Sequence, residues 1–213
     1  MNLTARLAGG IAELGVAIPP ETQTRLLQYL ALVQKWNRVH NLTAVREPET
    51  MLVRHVLDSL SILPHVRGPR VADVGSGAGL PGIPLALARP DWHVVLIESI
   101  HKKAVFLQQA RIELKLENVE VAAVRVEQCH PPTGFDSVVS RAFSDLADFV
   151  RLAGHLCADG ERGGRLLAMK GLYPHEELAQ LPGQFSVEKI LSVAVPGLES
   201  ERHLVVIKRV EAE

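Results

Sequence analysis

Aromatic residues make up 4% of this 213-residue chain, and cysteine occurs twice. No stretch approaches the ~18 uncharged apolar residues of a membrane span. Each scarcity excludes something. So few aromatics leave no material for a platform that stacks several bases at once. Cys129 and Cys157 fit no metal or redox spacing and read as free thiols in a reducing compartment. The histidines show no H-x-x-H or carboxylate–histidine spacing, so no metal is expected. The net charge of -1 removes any global footprint of a nucleic-acid binder, leaving only a local basic patch to carry such a role. The first residues, "MNLTARLAGGIAELG", place Gly9, Gly10 and Glu13 where a secretory apolar core would sit. The expectation is a cytoplasmic protein with no membrane contact, and no interface pattern points beyond a monomer.

What is present is a sizeable hydrophobic fraction, 47%, in a chain long enough for one large domain with a small appendage. Residues 1–68 read as a helical extension. "PPETQTRLLQYLALVQKWNRVHN" opens on prolines and spaces Leu26, Leu30, Val33 and Trp36 as one buried stripe. "EPETMLVRHVLDSLSILP" starts with Pro48 in a first-turn position and stops before Pro64, with Leu52, Val56, Leu60 and Leu63 as its stripe. A short helix over Ala5–Leu14 precedes both.

From Arg70 the rhythm becomes strand and helix in alternation. "RVADV", "WHVVLIES", "VEVAAVRV", "FDSVVS" and "GRLLAMK" read as parallel strands, and "FSVEKILSVAV" with "RHLVVIKRV" as a closing antiparallel hairpin at an edge. The expectation for residues 69–213 is therefore one α/β unit with a Rossmann-like seven-stranded sheet.

"VADVGSGAGLPGIPL", Val71–Leu85, crowds four glycines and two prolines into the seam between the first strand and its helix. Gly77–Gly82 matches G-x-G-x-x-G, the dinucleotide fingerprint, and one register earlier an acid precedes G-x-G-x-G. A phosphate-binding P-loop is excluded, because no Gly-Lys-Ser/Thr follows. Three features turn the pattern away from a dinucleotide. Asp73 would repel a pyrophosphate, Pro81 and Pro84 remove amide donors, and no second mononucleotide half follows. A cofactor with an adenosine ribose, no phosphates and an amino-acid end satisfies all three: S-adenosylmethionine. Glu98, ending the second strand, then suits a ribose contact. Asp73 suits either the methionine end, through water or the loop amides, or a loop cap. Gly75, Gly77 and Gly79 give the loop its freedom to approach the ligand.

The seven-strand order resembles the class I S-adenosylmethionine-dependent methyltransferases. Further segments narrow the likeness: "WNRVHNLTAVREPETMLVRHVLDSL", "DVGSGAGLPGIPLA", "RVEQ", "FDSVVSRAF", "LLAMKG" and "VPGLESERHLVVIK". Together they resemble the glucose-inhibited division protein B family (GidB), from about Leu26 to Lys208. The resemblance implies methylation of guanine N7 in 16S ribosomal RNA, with the small-subunit RNA or the 30S subunit as partner and S-adenosylhomocysteine as product. It implicates Gly75, Leu80, Val126, Glu127 and Arg141 in cofactor contact. It also places Asn41 and His55 near the target guanine.

Arg141 and Lys170 draw notice without any resemblance, since each ends a parallel strand, where ligands of open α/β sheets sit. Two cations there suit the RNA backbone or the methionine carboxylate, and both are candidates for the reaction centre. Arg38, His40, Arg46 and Arg54 crowd with Asn41 and His55 into 18 residues, a candidate RNA-binding patch. Arg54 could instead pair with Asp58 one turn on. No general base is evident, and N7, with its in-plane lone pair and no proton, requires none. The alternatives are a methyltransferase of the same fold on a non-RNA substrate, a cofactor sensor without catalysis, and an NAD-dependent oxidoreductase.

Overall fold

The alternation from Arg70 onward builds one mixed sheet of seven strands. Residues 2–141, 143, 145–158 and 163–210 are described by the computed structural model. The strands are β1 (Arg70–Val74), β2 (His93–Ile97), β3 (Val119–Ala122), β4 (Ser137–Ser140), β5 (Arg165–Lys170), β6 (Phe185–Ser192) and β7 (His203–Arg209), in the order β3-β2-β1-β4-β5-β7-β6. The first five run parallel, as their helical crossovers require, while β7 is antiparallel to both β5 and β6. The closing hairpin is thus folded back on itself. Its second strand inserts beside β5, and β6, with a register shift between Val187 and Lys189, takes the edge.

Helices cover the sheet: α1 (Leu3–Leu14), α2 (Pro20–His40), α3 (Pro48–Met51), α4 (Asp58–Ser61), α5 (Gly82–Ala88), α6 (His101–Glu113), α7 (Leu146–Ala153) and α8 (His175–Ala179). Between α3 and α4 the turns widen into a π-helical segment, Leu52–Leu57. The expected stripe of Leu52, Val56, Leu60 and Leu63 is buried. His55 of the wide turns and Asp58 at the start of α4 are buried with it. The helix ends at Ser61, before Pro64, as expected from the sequence, and Pro64 belongs to the turn that follows. It sits inside a 3₁₀ turn, Leu63–His65, where its missing amide leaves no bond unmade.

Two apolar layers form, one on each face. On one, Leu7, Leu26, Tyr29, Met51 and Leu52 of the N-terminal helices share a continuous core with Leu85, Phe106 and the sheet residues Leu96, Val139, Leu167 and Leu204. Each fully buried Leu or Met there contributes about 1.5–3 kcal/mol. The helical extension is therefore packed into the sheet's own core. Trp36 is half-buried, with its ring 5.6 Å from Phe106 and 4.9 Å from His40. The other layer joins Leu146, Phe149 and Val150 of α7 to Val74, Val138 and Val205.

The strand order turns at β1 and β4: the chain leaves β1 toward β2 and β3 on one side, and later fills β4 and β5 on the other. In such sheets the crevice opens beyond the carboxyl ends of those two strands. The glycine loop leaves β1 there and Arg141 leaves β4 there.

Candidate functional site

The glycine loop is held by its own backbone and by two buried acids. Gly75 N and Ser76 N donate to Ile97 O at 2.9 and 3.2 Å, and Gly79 N and Leu80 N to Ser76 O at 2.7 and 2.9 Å. Gly75, Gly77 and Gly79 all take positive φ, 71°, 59° and 86°. They differ in surroundings. A Cβ at Gly77 would meet nothing closer than Gly75 O at 3.8 Å, whereas one at Gly79 would collide with Ile83 of α5. Gly77 faces open space and Gly79 faces the core.

Asp73 is fully buried, and its Oδ2 accepts from Gly82 N at 2.9 Å, so it caps the start of α5. Its Oδ1 has no partner, and burial pushes its carboxyl up to about 7 against the pull of the Gly82 amide and the Arg141 charge. Glu98 is buried too, rather than an exposed charge at a strand end. Its two oxygens accept from Gly77 N and Ile100 N, each at 2.8 Å, tying the loop to the entrance of α6.

The N-terminal extension reaches across this loop. The Tyr29 hydroxyl of α2 donates to Ala78 O at 2.6 Å from a wholly buried position, where burial raises the phenol far above its usual range. Asn41 ends α2 in the left-handed conformation, φ 49°, which asparagine tolerates. The chain then folds back over the glycines. Asn37 accepts from Thr43 N at 2.9 Å and donates to Val45 O at 3.2 Å, and the Thr43 hydroxyl lies 3.0 Å from His55 Nε2. His55 is buried, and burial and the nearby Arg141 charge lower it to about 4, so it stands neutral at physiological pH.

A hollow of about 160 Å³ results, lined by Leu42, Thr43, Gly75, Ser76, Gly77, Ala78, Leu80 and Arg141. Arg141 Nη1 donates to Arg54 O at 2.9 Å and to Asp58 Oδ2 at 3.1 Å; Arg202 Nε donates to Asp58 Oδ1 at 3.0 Å. Asp58 therefore pairs with Arg141 and Arg202, not with Arg54, whose contribution is its carbonyl.

Of the residues singled out in the sequence, Gly75, Gly77, Leu80 and Arg141 meet in the hollow. Asp73, Gly79, Glu98 and His55 stand immediately behind its walls. Val126, buried in the second apolar layer, and the exposed Glu127 do not line it. Lys170 is 8% exposed, and its Nζ donates to Glu177 Oε2 at 2.6 Å and to Phe143 O at 3.2 Å. Its charge is matched within the protein, where the sequence had suggested a cation offered to a ligand. Arg38, Asn41, Arg46 and Arg54 are exposed, and His40 half-covered against Trp36. Sequence reasoning missed Thr43, Glu177 and Arg202, and named Asp58 only as a partner for Arg54. Thr43 and Arg202 lie in stretches that carry the resemblance, which was the one signal for them.

Residues 22–205 match the family described as rRNA small subunit methyltransferase G, GidB. The chain belongs to this family. It is 70% identical over 213 residues to the "Ribosomal RNA small subunit methyltransferase G" of Nitrosospira multiformis, covering 98% of this chain and 99% of that protein. With the protein of the same name from Nitrosomonas eutropha it shares 54% identity, over 98% of each chain. Among solved structures, an S-adenosylmethionine-dependent methyltransferase from Aquifex aeolicus superposes with a TM-score of 0.55 at 18% identity, covering 75% of this chain and 93% of that one. The fold is that of the class I methyltransferases, and GidB membership makes the protein an S-adenosylmethionine-dependent rRNA methyltransferase. Among the described residues, no helix is long and apolar enough to cross a membrane.

Proposed function

We propose that this GidB protein transfers the methyl group of S-adenosylmethionine to N7 of one guanine in 16S ribosomal RNA. The observation that carries the reading is the hollow itself. Two separated stretches, "NLTAVR" and "DVGSGAGLPG", close over one another there with Arg141 at the rim.

The residues fit the cofactor. Gly77, which lines the hollow, presents a bare backbone with open space at its Cβ position, and Asp73 Oδ1 lies buried without a partner. At about 160 Å³ the hollow is smaller than the ~300–1,000 Å³ usual for a ligand pocket. It would enclose only the part of the ligand against the loop and leave the rest in the open crevice. Gly75, Gly77 and Leu80 would hold that part, Glu98 would turn a remaining lone pair toward the ribose, and Arg141 would face the methionine carboxylate. Val126 and Glu127, which do not line the hollow, would touch only the part of the ligand outside it.

When bound, the cofactor supplies an electrophilic methyl on a positively charged sulfur. The chain's residues need not remove a proton, because N7 has none. His55, neutral and covered by Thr43, fits that requirement: it fixes the loop rather than acting as a base. Catalysis is then positioning, with the extension's loop excluding water above the reacting atoms. N7 faces the deep, narrow groove of A-form RNA, so the guanine must be presented unstacked or in a loop. Asn41, exposed beside Leu42 of the hollow, would meet that base. Exposed Arg38, Arg46 and Arg54 would take phosphates, with His40 and Lys170 supporting the surfaces that carry them. In this reading the protein works as a monomer in the cytoplasm, on 30S subunits or their RNA.

The test is transfer of labelled methyl to small subunits that lack the modification, followed by digestion to nucleosides. 7-Methylguanosine at a single site is expected. Label in another nucleoside, or none while cofactor binding is intact, would overturn the assignment.

A further inference from the structure

Beyond β5 the chain runs "GLYPHEE", and this loop carries two exposed apolar side chains. Leu172 is 78% exposed and Tyr173 40%. Tyr173 is the one aromatic among the large exposed hydrophobics of the described residues. Its ring is not loose. It lies 4.3 Å from the His175 ring, tilted by 40°, and 5.5 Å from the His203 ring, edge to face at 83°.

That position is tied to the hollow by a short chain of contacts. His203 opens β7 and pairs in register with Lys170, the last residue of β5. Its neighbour Arg202 shares the Asp58 carboxylate with Arg141, and Arg141 lines the hollow. A Cβ at Gly171 would stand 3.8 Å from Arg202 Nη1, so the loop and this arginine are adjacent. One carboxylate there serves two guanidiniums, and Arg54, whose carbonyl accepts from Arg141, is exposed.

We propose that Tyr173, with Leu172 at its side, is the surface on which an unpaired base flanking the target guanine stacks. This rests on the methylation reading above. The chemistry is that of single-stranded RNA recognition: an aromatic face held in advance by its neighbours, an apolar shoulder, and guanidinium charge alongside for the backbone. The ring offers one stacking surface, in keeping with the chain's few aromatics. Because it is already clamped by two imidazoles, little side-chain freedom is lost when a base covers it. The contact lies beyond Arg202 from the hollow, so it belongs to a flanking nucleotide and not to the guanine whose N7 receives the methyl.

The experiment compares wild type, Tyr173→Ala, Tyr173→Phe and Leu172→Ala in methyl transfer to small subunits lacking the modification, with cofactor affinity measured on the same preparations. Tyr173→Ala is expected to raise KM for subunits about tenfold or more, the loss of one stacked base, with cofactor affinity unchanged. Leu172→Ala should raise it less, and Tyr173→Phe, which keeps the ring, should restore KM to near the wild-type value. An unchanged KM in Tyr173→Ala would overturn the inference, with wild-type transfer leaving the methylation reading standing. So would an equal loss in Tyr173→Phe, which would mean a hydrogen bond from the hydroxyl in place of stacking. Wild-type protein that binds cofactor and labels no RNA would overturn the methylation reading and this inference with it.

Discussion

Asp58, 1% exposed, holds Arg141 at 3.1 Å while giving its second oxygen to Arg202 at 3.0 Å. The pairing joins three elements far apart in sequence: the wide-turned helix of the N-terminal extension, the end of β4 and the start of β7. Its consequence is that the extension sets the direction of the cation at the hollow's rim. Asp58→Asn should therefore destabilise the protein by about 3 kcal/mol, the low end for a broken buried pair, because both arginines keep some contact with water. Urea unfolding measures this. A double-mutant cycle with Arg141→Ala should show that most of the loss is shared between the two residues.

The two inner glycines of the loop should separate stability from binding. Gly79→Ala drives a Cβ into Ile83 and Leu107, on top of the strain at φ 86°. Gly77→Ala meets open space and suffers only the backbone strain, about 1–2 kcal/mol. Thermal unfolding should drop further for Gly79→Ala. Calorimetric titration with S-adenosylmethionine should show the larger loss of affinity in Gly77→Ala, where the methyl occupies ligand space.

Tyr29→Phe removes the single hydroxyl by which α2 grips the loop, leaving Ala78 O without that donor. A cost of about 1–2 kcal/mol is expected by denaturant unfolding. Because the bond fixes the wall of the hollow, cofactor affinity should fall severalfold with it, and a fully retained affinity would show that the wall stands without α2.

His55 gives a pH signature. Its folded value of about 4 lies below the ordinary 6.5, so between those values the unfolded chain binds more protons at this site than the folded one. Stability contributed by neutral His55 is then complete above pH 6.5 and is lost as pH falls toward 4. Asp73, raised from 3.8 to about 7, acts in the opposite sense: its burial costs nothing when protonated at pH 4 and most above 7. The two slopes oppose each other through the same window. In His55→Gln, unfolding free energy should lose the rising limb, so that the wild-type advantage grows from pH 4 to 6.5 and then levels off. A constant difference over that range would contradict the assignment.

The sheet, its parallel part and the helical extension were legible because each rests on local periodicity: alternating apolar runs, and stripes such as Leu26, Leu30 and Val33. Less legible was the placement of β7 between β5 and β6, since hairpin signals tell that two strands pair but not which one a third strand prefers. The glycine loop announced itself, as did Arg141 at a strand end. What stayed hidden was partnership. Asp58 reads as a surface acid on a helix, and only folding brings Arg141, 83 residues on, and Arg202, 144 residues on, to it. Lys170 showed the same limit in reverse: a strand-end cation in sequence, a buried partner of Glu177 in the fold. The extension's roof over the loop was visible as a likeness between stretches, while its mechanical basis in Asn37, Thr43 and His55 required coordinates.

The most direct test of the account sets wild type beside Arg141→Ala in transfer of labelled methyl from S-adenosylmethionine to unmodified small subunits, with the nucleoside identified and circular dichroism confirming the fold. The account predicts 7-methylguanosine at one site with wild type, and a loss of at least about tenfold in the variant, the worth of one charge-assisted contact at the rim. A folded variant that transfers as fast as wild type would contradict the role given to Arg141 and to the hollow it closes.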